Sequence, residues 1–162
     1  MHRLLCVRLY PLDMGIELSV DERWELLGSN AVARMATVDP NGLPHVVPIW
    51  YVAERGQGIY FSTPSDTAKV RHLEAKPKAS LTVDEGESYF ELRAVIAEGT
   101  VTELAEEAAA RAERQWCQKY FDQPERSAAM EALYEGREWV WFRLDPGRWV
   151  SWDNSKIDRS RL

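Results

Sequence analysis

Residues 48–78 read Pro48-Ile49-Trp50-Tyr51-Val52-Ala53-Glu54-Arg55-Gly56-Gln57-Gly58-Ile59-Tyr60-Phe61-Ser62-Thr63-Pro64-Ser65-Asp66-Thr67-Ala68-Lys69-Val70-Arg71-His72-Leu73-Glu74-Ala75-Lys76-Pro77-Lys78, and the fold turns on how they divide. Ile59–Thr63 is β-branched and aromatic and follows a Gly-rich turn, so it reads as a strand. Asp66–Ala75 reads as a helix, with Ser65 or Asp66 as its cap and Pro77 as its stop. Val70 and Leu73 share its apolar side, and Lys69 and His72 share another. Ser62 and Thr63 end the strand, and Lys69, Arg71 and His72 follow on the helix. Hydroxyls, a helix N-terminus with unpaired N–H groups and nearby cations are the parts of an anion site. The stretch therefore reads as a phosphate cradle beside an apolar sheet edge, Val47-Pro48-Ile49-Trp50. It reads equally as a hairpin, a turn and an ordinary surface helix.

Outward from this stretch, the chain is mostly short strands. Ala33–Val38 alternates, Asp39-Pro40-Asn41-Gly42 is a tight turn, and Leu43–Val52 is the return strand. Pro44 and Pro48 cannot donate to a ladder, which places that strand at an edge or a bulge. Ala79–Asp84 alternates with Ala79, Leu81 and Val83 inward. Tyr89–Ala97 is a longer strand, and Gly99 marks a bulge or sharp corner. Trp139–Leu144 and Trp149–Trp152 close the chain as two strands joined at Asp145-Pro146-Gly147. Ser19 and Glu22 form a capping box for a helix over 19–28. Helices over 103–121 and 124–134 make a helical insertion at 103–134. This gives an arm over 1–18, one domain over 19–153 and a polar tail over 154–162. Antiparallel strands joined by hairpin turns favour a barrel, and the missing G-x-G-x-x-G disfavours a doubly wound sheet.

Composition bounds the function. A chain of 162 residues buries roughly 70% of its unfolded surface and needs no disulfide or metal to fold. The net charge of −6 argues against a nucleic-acid partner. The positive charge is local: residues 66–78 hold four Lys and Arg against two carboxylates, enough for one small anion. Cys6 and Cys117 form no C-x-x-C pair and read as two thiols in a reducing compartment. Three His residues leave few ligands for a metal site, and none is expected. No run approaches ~18 apolar residues and no signal peptide is evident, so a cytoplasmic protein with no membrane partner is expected.

Several segments together resemble the flavin-binding split-barrel superfamily, which includes pyridoxamine 5′-phosphate oxidase-like proteins and the flavin/deazaflavin oxidoreductases. They are Met35–Asp39, Gly42–Trp50, Ile59–Thr63, Lys69–Leu73, Pro77–Leu81, Glu98–Val101 and Val150–Asp153. The resemblance covers roughly residues 20 to 153. It implies a mainly β fold with α insertions: a six-stranded antiparallel split β-barrel, homodimeric, with cofactor sites at the subunit interface. It implies that Ser62, Thr63 and Lys69 hold the phosphate of FMN, with Arg71 and His72 as further contacts. Val47, Pro48, Ile49 and Trp50 would meet the ring through their backbone, and Trp152 of a second subunit would cover it. The expected activity is hydride transfer between the cofactor and a small planar substrate, with a hydroxyl such as Tyr51 or Tyr89, or a water, moving the proton. Coenzyme F420 is the alternative cofactor. The runner-up reading is a flavin- or haem-binding module without turnover, whose haem would need His45 or His72 as axial ligand, and a third is a dimeric scaffold with a vestigial site and no ligand affinity. The paired Arg and His that hold substrate in an authentic pyridoxamine phosphate oxidase are absent, since no His follows His72. Vitamin interconversion is therefore not expected.

Overall fold

The computed structural model describes residues 15–29, 32–122, 128, 131–132 and 135–161. Seven strands form one antiparallel sheet: β1 (Ala33–Val38), β2 (Pro44–Ile49), β3 (Val52–Glu54), β4 (Gly58–Pro64), β5 (Lys78–Glu85), β6 (Arg93–Glu103) and β7 (Trp139–Asp153). Their order is β2-β1-β5-β6-β7-β4-β3. Among the fully described elements three α-helices accompany them: α1 (Val20–Ser29), α2 (Ala68–Ala75) and α3 (Glu106–Phe121).

The connection between β2 and β3 shows that this sheet curls. The two strands lie at opposite edges, yet only Trp50 and Tyr51 separate them. Seven strands laid flat would put the edges about 29 Å apart at the usual inter-strand spacing. Three Cα steps span at most about 11 Å. The sheet must therefore bend until its edges nearly meet. The core agrees: Met35 of β1, Ile49 of β2, Phe61 of β4, Leu81 of β5, Val95 of β6 and Leu144 of β7 all belong to one buried cluster. This half-barrel matches the split-barrel expectation. It has seven strands rather than six, because the return strand expected over 43–52 is divided into β2 and β3. Tyr51 cannot continue a ladder, since its backbone N–H donates to the Tyr120 hydroxyl (3.0 Å) and its carbonyl accepts from it (2.9 Å).

The opposite correction applies at the C-terminal end. Asp145-Pro146-Gly147 is not a hairpin turn, and the two expected strands are one, β7. Both halves pair with β6, and the register slips between Glu98 and Gly99, where Glu98 faces Arg148 and Gly99 faces Pro146. Gly147 is the extra residue of a β-bulge, which lets a long strand turn the corner of a barrel. Gly99 makes this possible: a Cβ there would lie 1.9 Å from the Asp145 carbonyl oxygen.

Smaller boundaries also moved. α2 starts later than expected, with Thr67 in the N-cap position and no side-chain cap bond. Ser65 lies two residues before the N-cap position, and its N–H and hydroxyl both donate to Glu138 instead. β6 begins at Arg93, since Glu91 and Leu92 donate to the Ser88 carbonyl in a turn. β6 runs on to Glu103, and Leu104 still donates to Trp141, so α3 begins only at Glu106. The tail expected over 154–162 is tied down at its start. Asn154 is buried, donating its Nδ2–H to the Tyr89 carbonyl and its backbone N–H to Leu92. Of the arm expected over 1–18, residues 1–14 lie outside the described residues, and so does Cys6. Ile16 and Leu18 are buried, and Ile16 accepts the Asp153 N–H. Most of the helix expected over 124–134 also lies outside the described residues. The capping box of α1 is formed as read: Ser19 N–H donates to Glu22 Oε2 (2.7 Å) and Glu22 N–H to Ser19 Oγ (3.2 Å). Pro44 and Pro48 do sit on an edge strand, β2. Among the described residues no helix is long and apolar enough to cross a membrane.

Gly99→Ala should lower unfolding free energy by about 2–3 kcal/mol, because backbone atoms cannot move aside. Gly28→Ala, where a Cβ meets nothing within 4 Å, should cost nothing and gain up to ~1 kcal/mol. Denaturant titration of both variants checks this, and equal effects would contradict the role given to Gly99.

Candidate functional site

A cleft of about 560 Å³ opens where β2 ends, β4 ends and α2 begins. This is the size range of small-molecule sites. One end is polar. Ser62, Thr63 and Pro64 close β4, and Lys69 reaches across from the first turn of α2. Thr63 is buried and its Oγ1 accepts from Lys69 Nζ at 2.6 Å and lies 3.3 Å from Thr67 Oγ1. Arg137 lines the same cleft just before β7. The other end is apolar, with Pro48, Ile49 and Trp50 from β2 and the residue after it, Trp116 from α3, Trp139 from β7 and Val32.

The electrostatics of the polar end come from Lys69. Its amine is half-buried, and among the described residues no carboxylate pairs with it. Burial alone pulls its pKa below the usual lysine value. A cation held by a neutral hydroxyl in a partly dry cleft favours an anion in front of it. Neighbouring hydroxyls offer further donors.

The aromatic end is built by the crossover. Trp50 is 43% exposed and stacks on Tyr120 at 4.7 Å between ring centroids and 10° between planes. Trp116 lies 5.5 Å from Trp50. Trp116 is buried, and among the described residues its Nε1–H has no hydrogen-bond partner. Lys119, one turn further on α3, places its amine 4.1 Å from the Tyr51 ring, and burial pulls that amine down to about 8.

Of the residues expected from sequence, Pro48, Ile49, Trp50, Ser62, Thr63 and Lys69 come together here. Val47, Arg71, His72 and Trp152 do not line the cleft. Val47 packs against the main core. Arg71 donates to the Asp66 carbonyl (2.9 Å) and so braces the turn before α2. His72 Nδ1 lies 3.0 Å from Thr37 Oγ1, and its ring meets His45 edge-on at 5.5 Å, away from the cleft. Trp152, expected at the cleft of a second subunit rather than its own, lies in β7 and pairs with Ala94 of β6. Neither hydroxyl considered for proton transfer lines the cleft. Tyr51 is fully buried, donates to the Leu27 carbonyl (2.7 Å), and has its phenol pKa raised by burial and then by Tyr120. Tyr89 is 68% exposed on a turn.

Sequence reasoning missed Val32, Trp116, Arg137 and Trp139. Trp116 had a signal: with Ala112 and Tyr120 it forms an i, i+4, i+8 stripe on α3, which had to pack somewhere. Arg137 and Trp139 had none, because only the register that sets Pro64 opposite Trp139 brings them to this cleft.

A family model described as pyridoxamine 5′-phosphate oxidase matches residues 20–152. Comparison with curated proteins finds no match. Among solved structures, the chain is similar to a conserved hypothetical protein from Mycobacterium tuberculosis, with 25% identity, 91% of this chain and 92% of that one covered, and a TM-score of 0.79. It is similar to HutZ, the haem storage protein from Vibrio cholerae, with 18% identity, 81% and 94% covered, and a TM-score of 0.66. It is also similar to a protein described as an F420 reductase, with 21% identity, 78% and 94% covered, and a TM-score of 0.60. In the last two cases the likeness is one of fold.

Lys69→Met should leave stability unchanged or raise it, since it replaces an uncompensated, partly buried charge by an apolar chain of similar length. Thermal and denaturant unfolding below pH 8 check this. A clear loss of stability would show that the amine serves the fold rather than a ligand.

Proposed function

We propose a function from one premise: this chain belongs to the pyridoxamine 5′-phosphate oxidase family. Our reading is that it binds a phosphate-bearing flavin-type cofactor, FMN first and coenzyme F420 as the alternative, and works as an oxidoreductase on a small planar substrate. The observation that carries it is Lys69, half-buried, without a carboxylate, and flanked by Ser62 and Thr63. A terminal phosphate supplies the missing negative charge. Charge-assisted contacts of this kind are the strong ones in a partly desolvated site.

When bound, such a cofactor supplies hydride transfer, and the protein's part is to bind, orient and exclude water. Ser62, Thr63 and Lys69 would hold the phosphate end. Trp50, Trp116 and Trp139 would flank the ring end and keep it dry. No Tyr or His among the described residues lines the cleft, so a water is the proton carrier in this reading. The same fact weighs against haem: His45 and His72 both lie outside the cleft, leaving no imidazole there as axial ligand.

A homodimer in the cytoplasm is part of the proposal. The outer side of β2 supports it. Val46 is 60% exposed and shares the outward face of β2 with Pro48, which lines the cleft, and Leu43, just before β2, is 68% exposed. Apolar side chains in a row on an edge strand are unusual unless another surface covers them. A second copy would close the open side of the cleft.

Lys69→Ala should weaken FMN by about ten- to a hundredfold and leave riboflavin, which lacks the phosphate, little changed. Flavin fluorescence titrations of the two ligands decide it, and equal losses would remove the phosphate assignment. Val46→Glu should give a folded monomer by light scattering with weaker FMN binding. Full FMN affinity in that monomer would remove the interface from the site.

A further inference from the structure

Arg137 enters the cleft from a part of the chain remote from Lys69 in sequence. Its place is set by the last rung of the β4–β7 ladder, Pro64 opposite Trp139. Beyond that rung Ser65 N–H donates to the Glu138 carbonyl (3.0 Å) and Ser65 Oγ to Glu138 Oε2 (3.3 Å). These contacts hold the Arg137 backbone beside the turn that leads into α2. Arg137 lines the cleft, yet its counter-charge, Asp66, is not part of the lining. Asp66 Oδ2 accepts from Arg137 Nη2 at 3.5 Å, the limit of a hydrogen bond, and the two side chains are 55% and 70% exposed. An exposed, single, long contact of this kind holds the guanidinium weakly. A guanidinium fork is built for two parallel bonds, and a phosphate offers more acceptor oxygens than this contact uses.

We infer that Arg137 is the second cation of the polar end and that Asp66 holds it in reserve, releasing it to an incoming phosphate monoester dianion. This rests on the reading that a phosphate-bearing ligand enters at Lys69. Lys69 meets the phosphate from α2 and Arg137 meets it from the start of β7. Before binding, Asp66 offsets the positive charge of Arg137. That offset disfavours monoanions such as carboxylates, which satisfy one cation but do not draw the other from Asp66. The dianion engages both. Asp66 therefore sets selectivity by competition, without touching the ligand.

The experiment is a fluorescence titration of the full chain with FMN and with riboflavin, in the unmodified protein and in Lys69→Ala, Arg137→Ala, Asp66→Asn and the Asp66→Asn/Arg137→Ala double variant. Circular dichroism confirms that each is folded. Arg137→Ala is expected to weaken FMN by about ten- to a hundredfold and leave riboflavin unchanged. Asp66→Asn is expected to tighten FMN by about two- to fivefold, and to do nothing once Arg137 is Ala. A merely structural role for Asp66 would weaken both ligands and lower thermal stability, which overturns the inference. If Lys69→Ala weakens FMN but Arg137→Ala does not, the cradle stands and the inference falls. If the unmodified protein takes no FMN, both fall together.

Discussion

The fold depends on a crossing of two residues. Trp50 and Tyr51 carry the chain from one edge of the sheet to the other, so the sheet has to curl, and everything else follows from the curl. A crossing this short exposes backbone groups where no strand is beside them. The cost of leaving such groups unpaired in a core is ~1–3 kcal/mol each. Here the Tyr120 hydroxyl takes both, accepting from the Tyr51 N–H and donating to the Tyr51 carbonyl. The Tyr51 hydroxyl in turn donates to Leu27 at the end of α1. Burial, partly offset by the Tyr51 carbonyl, raises the Tyr120 phenol to about 12, so it stays protonated and able to donate. α3 is therefore more than padding between β6 and β7. It closes the gap in the ladder that the crossover creates.

The same crossing makes the cleft. With its backbone diverted to Tyr120, the chain turns Trp50 outward onto the Tyr120 ring rather than into the core. β4 ends beside it, and α2 starts there because Pro64 and the turn after it end the strand. A polar end and an aromatic end thus face each other across a distance set by strand geometry. The polar end holds a cation that the fold does not neutralise. Proteins near their stability threshold tolerate such a group where binding requires it.

Much of this was legible in the residues. The alternation of Ala79, Leu81 and Val83, the capping box at Ser19 and Glu22, the edge prolines and the bulge glycine were readable because each follows from bonding within a few residues. So was the core of the cradle, since a strand end and the next helix turn are adjacent in sequence. What was misread involved partners far away. Asp145-Pro146-Gly147 has the composition of a turn, but both its flanks find β6, and pairing over the whole length overrides local turn chemistry. Ser65 looks like a helix cap, but the backbone pairing that joins it to Glu138 prolongs the strand end and the helix starts two residues later, after Thr67. Arg71 and His72 both stand within about one turn of Lys69, but helix rotation points one at Asp66 and the other at Thr37.

By itself, then, the sequence determined the class of fold, the edge strand, the bulge and the proximity of Ser62, Thr63 and Lys69. All of these depend on period, turn chemistry and neighbours within one element. Only the tertiary structure decided that β2 and β3 are separate strands, that β7 is continuous, and that Trp116, Arg137 and Trp139 join the site. The reason is that side chains from distant segments meet through ladder register. A shift of one residue in the β4–β7 register would turn Trp139 to the other face and displace Arg137 from its place beside Ser65.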